Sequence, residues 1–283
     1  MKAQAECQRC FQRQAQQSAQ RIGLDKDACE ALLTAVRQRL VSTPPDETPP
    51  VTASDIHALI RQQSGSPDPY RSAKQEATEH ALSLYPQLKQ LIAASSDPLQ
   101  TAVRLAIAGN IIDLGVSEQY DLEASIERVL VTEPAINHME PLRQALSRAK
   151  QVLFLADNAG ETVMDRLLIE QLGLPVSYVV KGGPAVNDAT REDALAAGLG
   201  EVCELLDHGA ATLGTLLDRC SDDFRQRFNS AELIIAKGMA NYESLGDSRR
   251  GIFFLLQAKC AVVAADLGVV EKSLIILHSD TRK

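Results

Sequence analysis

Hydrophobic positions divide the chain into two parts with different periodicities. Up to about residue 150, apolar residues recur at helical spacing between polar or proline-rich segments. After Gln151 the pattern changes to short apolar runs that alternate with helical segments. The runs lie at 152–156, 176–180, 233–236, 252–256 and 274–277, with a weaker one near 202–205. The second pattern is typical of a largely parallel sheet with helices on both faces.

The first part of the chain predicts a succession of helices. Two helices are expected before Leu40, with a break near Gly23, and Asp97 with Pro98 forms the expected start of a later, mostly buried helix. The remaining predicted helices lie at 54–63, 70–93, 122–130 and 138–150, and four prolines within 42–52 predict an extended connector. We therefore predict a helical domain over residues 1–149 and an α/β domain over 150–283.

Polar side chains follow the predicted strands. The central stretch is QVLFLADNAGE, at 151–161, which predicts a buried strand ending in a polar turn before a helix. The side chains at the strand ends are Asp157, Asn158, Asn187, Asp188, Lys237, Asn241, Tyr242 and Lys259. Because the carboxyl ends of parallel strands lie on one edge of a sheet, we expect these residues to converge there.

The residue types at this edge favour one kind of chemistry. Carboxylate and amide oxygens are hard ligands for Mg²⁺, Mn²⁺ or a similar ion, and the scattered histidines form no pair at zinc-ligand spacing. Lysines opposite such an ion suit a phosphate, and main-chain amides at the helix start near Glu161 add donors. Asp and Asn at strand ends are equally well explained as turn formers and helix caps. The residues alone leave both interpretations open.

Composition and charge argue against some classes of binding partner. The 283 residues are 45% hydrophobic, which suffices for a substantial core, and the net charge of −8 without a dense basic block argues against nucleic acid and anionic membranes. The first residues lack the apolar core of a signal peptide, and no run of about 18 apolar residues occurs. We expect a cytoplasmic protein with its six cysteines reduced. Its oligomeric state stays open.

Several ordered motifs resemble the damage-control phosphatase family, once called domain of unknown function 89. They are AGNIID at 108–113, DNAGE at 157–161, VKGGPAVND at 180–188, AKGMANYE at 236–243 and LLQAKC at 255–260. The Cys7–Cys10 CxxC pair and DPYRSAK at 68–74 are most similar to the prokaryotic branch. The resemblance covers nearly the whole chain. It implies an all-helical N-terminal domain followed by a Rossmann-like α/β/α three-layer domain with a mostly parallel sheet.

The same resemblance implies an activity and a set of site residues. Members are metal-dependent phosphatases of small phosphorylated metabolites, so a divalent ion, Mn, Co, Ni or Mg, is the implied cofactor. By position, the implied metal ligands are Asp157, Asn158 and Asp188. The implied catalytic lysines are Lys237 and Lys259, and the implied substrate-binding residues are Asn110, Glu161, Asn187, Gly238, Asn241 and Tyr242. Met239 stands where eukaryotic relatives often have an acid, so their sugar-phosphate substrates are not transferred.

Two mechanisms and three functions follow as hypotheses. In the preferred mechanism the ion bridges the phosphate and an attacking water while Lys237 and Lys259 hold phosphate oxygens; in its competitor Asp157 is a covalent nucleophile. The rivals to a phosphatase are a nucleotide-using enzyme, disfavoured because DNAGET lacks the GxGxxG fingerprint, and a non-catalytic metabolite- or nucleotide-binding protein. For Cys7 with Cys10, a structural role is favoured over a redox or metal site. Lys181 could belong to a phosphate-binding loop or to a tight turn, and both interpretations stay open.

Overall fold

The structure is a computed structural model that describes residues 1–109 and 122–282. Within these residues the chain forms twelve α-helices and one seven-stranded sheet. Asn110, a predicted substrate-binding residue, and most of the AGNIID segment lie outside the described residues. The fold is the expected mixed α/β architecture, with its mostly parallel sheet built from the second half of the chain.

The first three helices form a unit with its own apolar core. They are α1 (Ala5–Arg21), α2 (Lys26–Val41) and α3 (Pro49–Ser64), and their shared core is built around fully buried side chains such as Leu32 and Ile60. The predicted connector is wrong in its second half, because α3 begins at Pro49. Pro49 and Pro50 occupy the first helical turn, where the N–H group that proline lacks has no intrahelical partner.

The next helices pack on the sheet. They are α4 (Arg71–Ala94), α5 (Pro98–Gly109), α6 (Leu122–Val131) and α7 (Met139–Arg148). The predicted cap of α5 is confirmed, since the Gln100 main-chain N donates to Asp97 Oδ1 at 3.1 Å. Apolar residues of α5, from Ala102 to Ala108, share one core with the sheet. The predicted boundary after residue 149 stays a prediction.

The sheet contains every strand that the sequence predicted and one more. Its strands are β1 (Ile136–Asn137), β2 (Val152–Leu155), β3 (Val176–Val180), β4 (Glu204–Asp207), β5 (Leu233–Lys237), β6 (Ile252–Gln257) and β7 (Leu274–His278). Their order is β1-β7-β6-β5-β2-β3-β4, and all neighbours are parallel except β6 with β7. Strand β1 has two residues, too few for a hydrophobic pattern, so the sequence did not reveal it.

Helices cover both faces of this sheet. The helices after β2 are α8 (Thr162–Leu172), α9 (Arg191–Ala196), α10 (Asp222–Ser230), α11 (Gly238–Leu245) and α12 (Ala261–Leu267). Alternate residues of β2 enter opposite cores: Phe154 packs in the core shared with α5 and α8, and Leu155 packs in the core shared with α10 and α11. Among the described helices, none is long and apolar enough to cross a membrane.

A buried ion pair ties a sequence motif to this architecture. Lys74, in the DPYRSAK segment, lies with its Nζ 2.7 Å from Asp68 Oδ2 and 2.9 Å from Asp193 Oδ2. Lys74 belongs to α4 and Asp193 to α9, so the pair joins a helix of the first part of the chain to one that follows β3. Lys74 and Asp68 of the motif therefore have a structural role between these elements.

The strand order creates a crevice beside β2. From β2 the chain passes through α8 to β3 and on to β4, and it then returns to place β5 on the other side of β2. At such a switch point the connections leave the strand ends in opposite directions, which opens a crevice at their carboxyl edge. The residues that follow β2, Asp157 and Asn158, lie at this crevice.

Candidate active site

The loops after β2 and β3 are joined by main-chain hydrogen bonds. Ala189 N donates to Asp157 O at 2.8 Å, and Ala159 N donates to the main-chain oxygen of Asn187 at 2.8 Å. An isolated antiparallel bridge pairs Asn158 with Asp188. The two loops therefore bring Asp188 next to the pair that ends β2, as the sequence predicted.

A left-handed residue shapes the second of these loops. Val186 has a φ of 51°, a region that β-branched side chains rarely adopt. The residue directly precedes Asn187 and Asp188, so the unusual backbone turn lies where the chain changes direction toward the loop after β2. Such conformations persist only when the surrounding contacts hold them, and they are frequent at functional sites.

Buried carboxylates meet at this point. Asp157 and Asp188 are 6% and 2% exposed. Burial raises the pKa of Asp157 well above its usual range, and the nearby charges of Glu161 and Asp188 raise it further, against the opposing effect of Lys181 and Lys259. A cation bound here would relieve this repulsion.

Two lysines complete the group, which we call the floor cluster: Asp157, Asn158, Lys181, Asp188 and Lys259. Lys181 Nζ lies 3.3 Å from Asp188 Oδ2, and both side chains are buried. Lys259 follows β6 and is only partly buried. Its charge acts on Asp157 from the other side of the crevice.

The floor cluster lies at the base of a cavity of about 740 Å³. Four of its members, all except Lys181, line this cavity, together with Asn187. The opposite wall comes from the first helices of the chain, including Cys7 and Phe11 of α1 and His57 of α3. The cavity therefore lies between the sheet edge and the unit formed by α1–α3.

A second charged group lies beneath the first, and we call it the Lys237 cluster: Lys237, Glu161, Asp165 and Tyr178. Lys237 Nζ donates to Ala106 O at 2.8 Å, to Glu161 Oε2 at 2.9 Å and to Asp165 Oδ1 at 2.6 Å. Tyr178 donates its hydroxyl to Asp165 Oδ2 at 2.7 Å. All four side chains are fully buried. The three protons of the ammonium group thus have protein acceptors.

The charges of this cluster stabilise one another against the effect of burial. Burial disfavours the charged lysine, but Asp165 and Glu161 together raise the pKa of Lys237 above its usual range. Burial also raises the pKa of Asp165, to about 6, although Lys237 opposes that shift. The cluster links the end of β5 to α8 and to the last turn of α5.

Other residues of the KGMANY segment also make structural contacts. Asn241 is fully buried; its Nδ2 donates to Ala156 O at 3.1 Å and to Lys237 O at 2.8 Å, and its Oδ1 accepts from Thr215 Oγ1 at 2.8 Å. Tyr242 donates its hydroxyl to Asp266. Gly238 has a φ of 79° at the start of α11, a conformation that favours glycine.

The predicted site residues therefore fall into two groups. Those lining the cavity are Asp157, Asn158, Asn187, Asp188 and Lys259. Those buried outside the cavity wall are Glu161, Lys237, Gly238, Asn241 and Tyr242. Lys237 was expected to contact phosphate. Its ammonium instead donates to three protein acceptors. The functional roles of all these residues stay predictions.

The predicted set omitted two residues of this region. The sequence leaves Lys181 open between a phosphate cradle and a tight turn, although this lysine directly follows β3 as Lys237 ends β5. Asp165 is not among the predicted site residues. A signal was present, since Asp165 stands among apolar residues on the buried face of α8 and such an acid requires a partner.

The donor set of the floor cluster fits a hard divalent ion. It offers two carboxylates and one amide oxygen, the ligand types that Mg²⁺ and Mn²⁺ take together with water and phosphate oxygens. In the described ranges, no group of three or more His, Cys, Asp or Glu side chains is arranged to hold a metal. An ion here would accordingly depend on the amide of Asn158 as its third protein ligand.

Comparison with known proteins identifies the family. Residues 3–275 match the model of the damage-control phosphatase ARMT1-like domain. The chain belongs to this family. A damage-control phosphatase of Archaeoglobus fulgidus is 39% identical over 77% of this chain and 78% of its own, and one of Pyrococcus horikoshii is 33% identical over 99% of both chains. A crystal structure of a DUF89-family protein from Pyrococcus horikoshii superimposes with a TM-score of 0.90 at 32% identity, covering 99% of both chains.

The family assignment agrees with the fold described above. The superposition extends over both the helical N-terminal region and the sheet. The damage-control phosphatase resemblance seen in the motifs is thereby confirmed. Its narrower assignment to a CxxC-containing prokaryotic branch stays a prediction. The cysteines of the described chain, Cys7 and Cys10 included, are free thiols.

Proposed function

We propose that this chain is a metal-dependent phosphatase that hydrolyses phosphate monoesters of small metabolites. The observation that carries the proposal is the floor cluster, in which two buried carboxylates and an amide meet two lysines at the base of a cavity. Family membership supports phosphatase chemistry and a role in removing damaged or surplus phosphometabolites. The cavity, at about 740 Å³, has room for a phosphate together with an organic group.

The metal ligands in this proposal are Asp157, Asn158 and Asp188. When bound, a divalent ion supplies charge neutralisation at the phosphate and lowers the pKa of a water molecule. The raised pKa of Asp157 supports the assignment, because burial beside Glu161 and Asp188 makes the ionised carboxylate costly without a cation. Asn158 adds an oxygen ligand without adding a further negative charge.

The two lysines of the floor cluster have different roles in this proposal. Lys259, partly buried and lining the cavity, binds phosphate oxygens and orients the phosphate. Lys181, 3.3 Å from Asp188 Oδ2, holds that carboxylate in position. We do not assign a phosphate contact to Lys237, because its three donors are bound to Ala106 O, Glu161 and Asp165.

The proposal is tested by measuring p-nitrophenyl phosphate hydrolysis with chelator-treated protein, alone and with Mn²⁺, Co²⁺, Ni²⁺ or Mg²⁺. We expect activity only with added metal. Asp157→Asn and Asp188→Asn should each lower it by at least about 10³-fold, which corresponds to about 4 kcal/mol of transition-state stabilisation. Absence of hydrolysis with every metal would favour the alternative function, a non-catalytic binding protein. Full metal-dependent activity in either variant would refute the site.

The mechanism and the substrate need separate experiments. Phosphoenzyme trapped by acid quench during turnover would replace hydrolysis by water with the covalent mechanism through Asp157. A screen of phosphorylated metabolites, with kcat/KM as the readout, identifies the substrate class. We expect small metabolite monoesters to exceed p-nitrophenyl phosphate, because contacts with the cavity wall add binding energy in the transition state.

A further inference from the structure

A chain of hydrogen bonds connects the Lys237 cluster to the floor cluster. We infer that Glu161, held by Lys237, is a positioning residue that turns the carbonyl oxygen of the Asn158 amide toward the metal position. The inference rests on the proposed function, since it concerns the metal site named there. It gives Glu161 and Lys237 a role other than the substrate contacts that the sequence predicted.

The connection runs through the two oxygens of one carboxylate. Glu161 Oε2 accepts from Lys237 Nζ at 2.9 Å, while its Oε1 accepts from the Asn158 main-chain N at 2.7 Å and from Asn158 Nδ2 at 3.0 Å. Glu161 directly precedes α8, three residues after Asn158, so the turn between β2 and α8 is short enough for both contacts. Glu161 is fully buried.

The partners of Asn158 determine the orientation of its amide. Asn158 Nδ2 also donates to Asp157 Oδ2, at 3.2 Å. The amide nitrogen carries two hydrogens, so these two carboxylates occupy both. A flipped amide would place its oxygen against Glu161 and Asp157 instead, with repulsion at both contacts. The native orientation therefore directs Oδ1 away from the carboxylates, and only this oxygen can ligate a hard cation.

Lys237 makes this arrangement dependent on a carboxylate at residue 161. An ammonium group only donates, so the side chain facing it must present an acceptor. Glutamate offers one oxygen to Lys237 and the other to Asn158. Glutamine offers a single oxygen, which the charged Lys237 ammonium attracts more strongly than the two neutral donors of Asn158, its main-chain N and Nδ2. In Glu161→Gln the amide NH₂ then faces Asn158: the main-chain N–H of Asn158 loses its acceptor, and residue 161 no longer holds the side-chain amide with its oxygen at the metal position.

The test is Mn²⁺ binding by calorimetry to the chelator-treated full chain, which requires no turnover. We expect Glu161→Gln to weaken binding by about 10- to 100-fold, the loss typical of residues that orient a ligand. The side chain keeps its size, and Lys237 keeps three acceptors, so the variant should fold. Urea unfolding of the same samples checks this.

The matched control is Asp165→Asn, which also replaces a carboxylate bound to Lys237 by an amide. Asp165 contacts Lys237 and Tyr178, whereas Glu161 contacts Asn158. We expect the control to lose stability but to keep its Mn²⁺ affinity within about threefold, well below the loss expected of an orienting residue. An equal loss of affinity in both variants would overturn the inference, because the effect would then come from weakening the cluster as a whole.

A second variant tests orientation itself. In the double variant Asn158→Asp with Glu161→Gln, net charge is unchanged and residue 158 presents two acceptor oxygens. The glutamine can then donate to one oxygen while the other faces the metal, so we expect affinity to recover by at least about tenfold over Glu161→Gln. No recovery, or wild-type affinity in Glu161→Gln alone, would overturn the inference. Asp157→Asn distinguishes failure of this inference from failure of the proposed metal site. The metal site itself is wrong if the wild type binds no Mn²⁺, or if Asp157→Asn binds Mn²⁺ as tightly as the wild type.

Discussion

The two charged clusters use similar groups for different ends. Each combines lysine with two carboxylates and lies largely out of solvent. In the Lys237 cluster the ammonium has three acceptors within 2.9 Å and all four side chains are fully buried. In the floor cluster Lys181 is buried as well, with Asp188 Oδ2 at 3.3 Å and the main-chain oxygens of Ala156 and Gly214 at 3.4 and 3.5 Å, whereas Lys259 is partly buried and lines the cavity. Exposure to the cavity, rather than residue type, therefore separates Lys237 and Lys181, which hold protein groups, from Lys259, which can reach a ligand.

The strongest test of this contrast replaces Lys237 with methionine. The change leaves Glu161 and Asp165 buried without their cation, and removing one partner of a buried ion pair costs about 3–5 kcal/mol. We expect that loss in the free energy of unfolding, measured by urea denaturation of the metal-free protein. A loss below about 1 kcal/mol, the range of exposed ion pairs, would contradict the structural role of this cluster.

The counterpart in the floor cluster is Lys259→Met. Because Lys259 is partly buried and lines the cavity, we expect its stability to change by less than about 1 kcal/mol. Its kcat/KM should fall by about 10²-fold through the loss of one phosphate contact, a fall of about 2.7 kcal/mol in transition-state stabilisation. Steady-state kinetics with saturating metal measures this. Unchanged kcat/KM would remove Lys259 from the site.

Tyr178→Phe probes the Lys237 cluster more gently. The variant removes the hydroxyl that donates to Asp165 Oδ2 at 2.7 Å, and the loss of a bond to a buried charged group costs about 1.5–3 kcal/mol. Mn²⁺ affinity should not change, because Tyr178 makes no contact with Asn158 in the described hydrogen bonds. The control is Tyr85→Phe, which removes a similar bond to Glu170 nearer the surface and should cost less. Equal losses would show that burial does not set the cost.

The smallest effect concerns an acid outside both clusters. Burial raises the pKa of Glu243, in the cavity wall, to about 8, with Asp266 adding to the shift and the N-terminal ammonium opposing it. The ordinary pKa of this carboxyl group is 4.5, so above pH 4.5 the unfolded chain releases a proton that the folded chain keeps. This acid thus lowers stability progressively as pH rises from about 4.5 to about 8, and adds no further change above that.

Unfolding free energies of Glu243→Gln and the wild type across this pH range check the shift. We expect the free energy of unfolding of the wild type to fall relative to that of Glu243→Gln as pH rises. The slope should stay below the slope that the release of one full proton would give. Glu271→Gln, an exposed acid at the same cavity, controls for the loss of a charge. A constant difference between wild type and Glu243→Gln would contradict the raised pKa.

Much of the fold followed from the sequence because its signals are local. The apolar runs 152–156 and 233–236 became β2 and β5, and Asp97 caps α5 as predicted. Where prediction failed, no local signal distinguished the outcome. Prolines at 49 and 50 suit a connector and a first helical turn equally well, and the two residues of β1 are held by β7 alone.

The candidate site shows the same division. The local pattern is enough to place Asp157 and Asn158 at the end of a buried strand, and parallel topology then brings Asp188 to the same edge. Lys237 and Lys259 looked equivalent, since each stands at or just after the end of a strand. Long-range packing separates them, because the groups that surround Lys237 come from α5 and α8, 131 and 72 residues away along the chain. Hydrogen-bond saturation depends on such long-range packing, which no local pattern encodes.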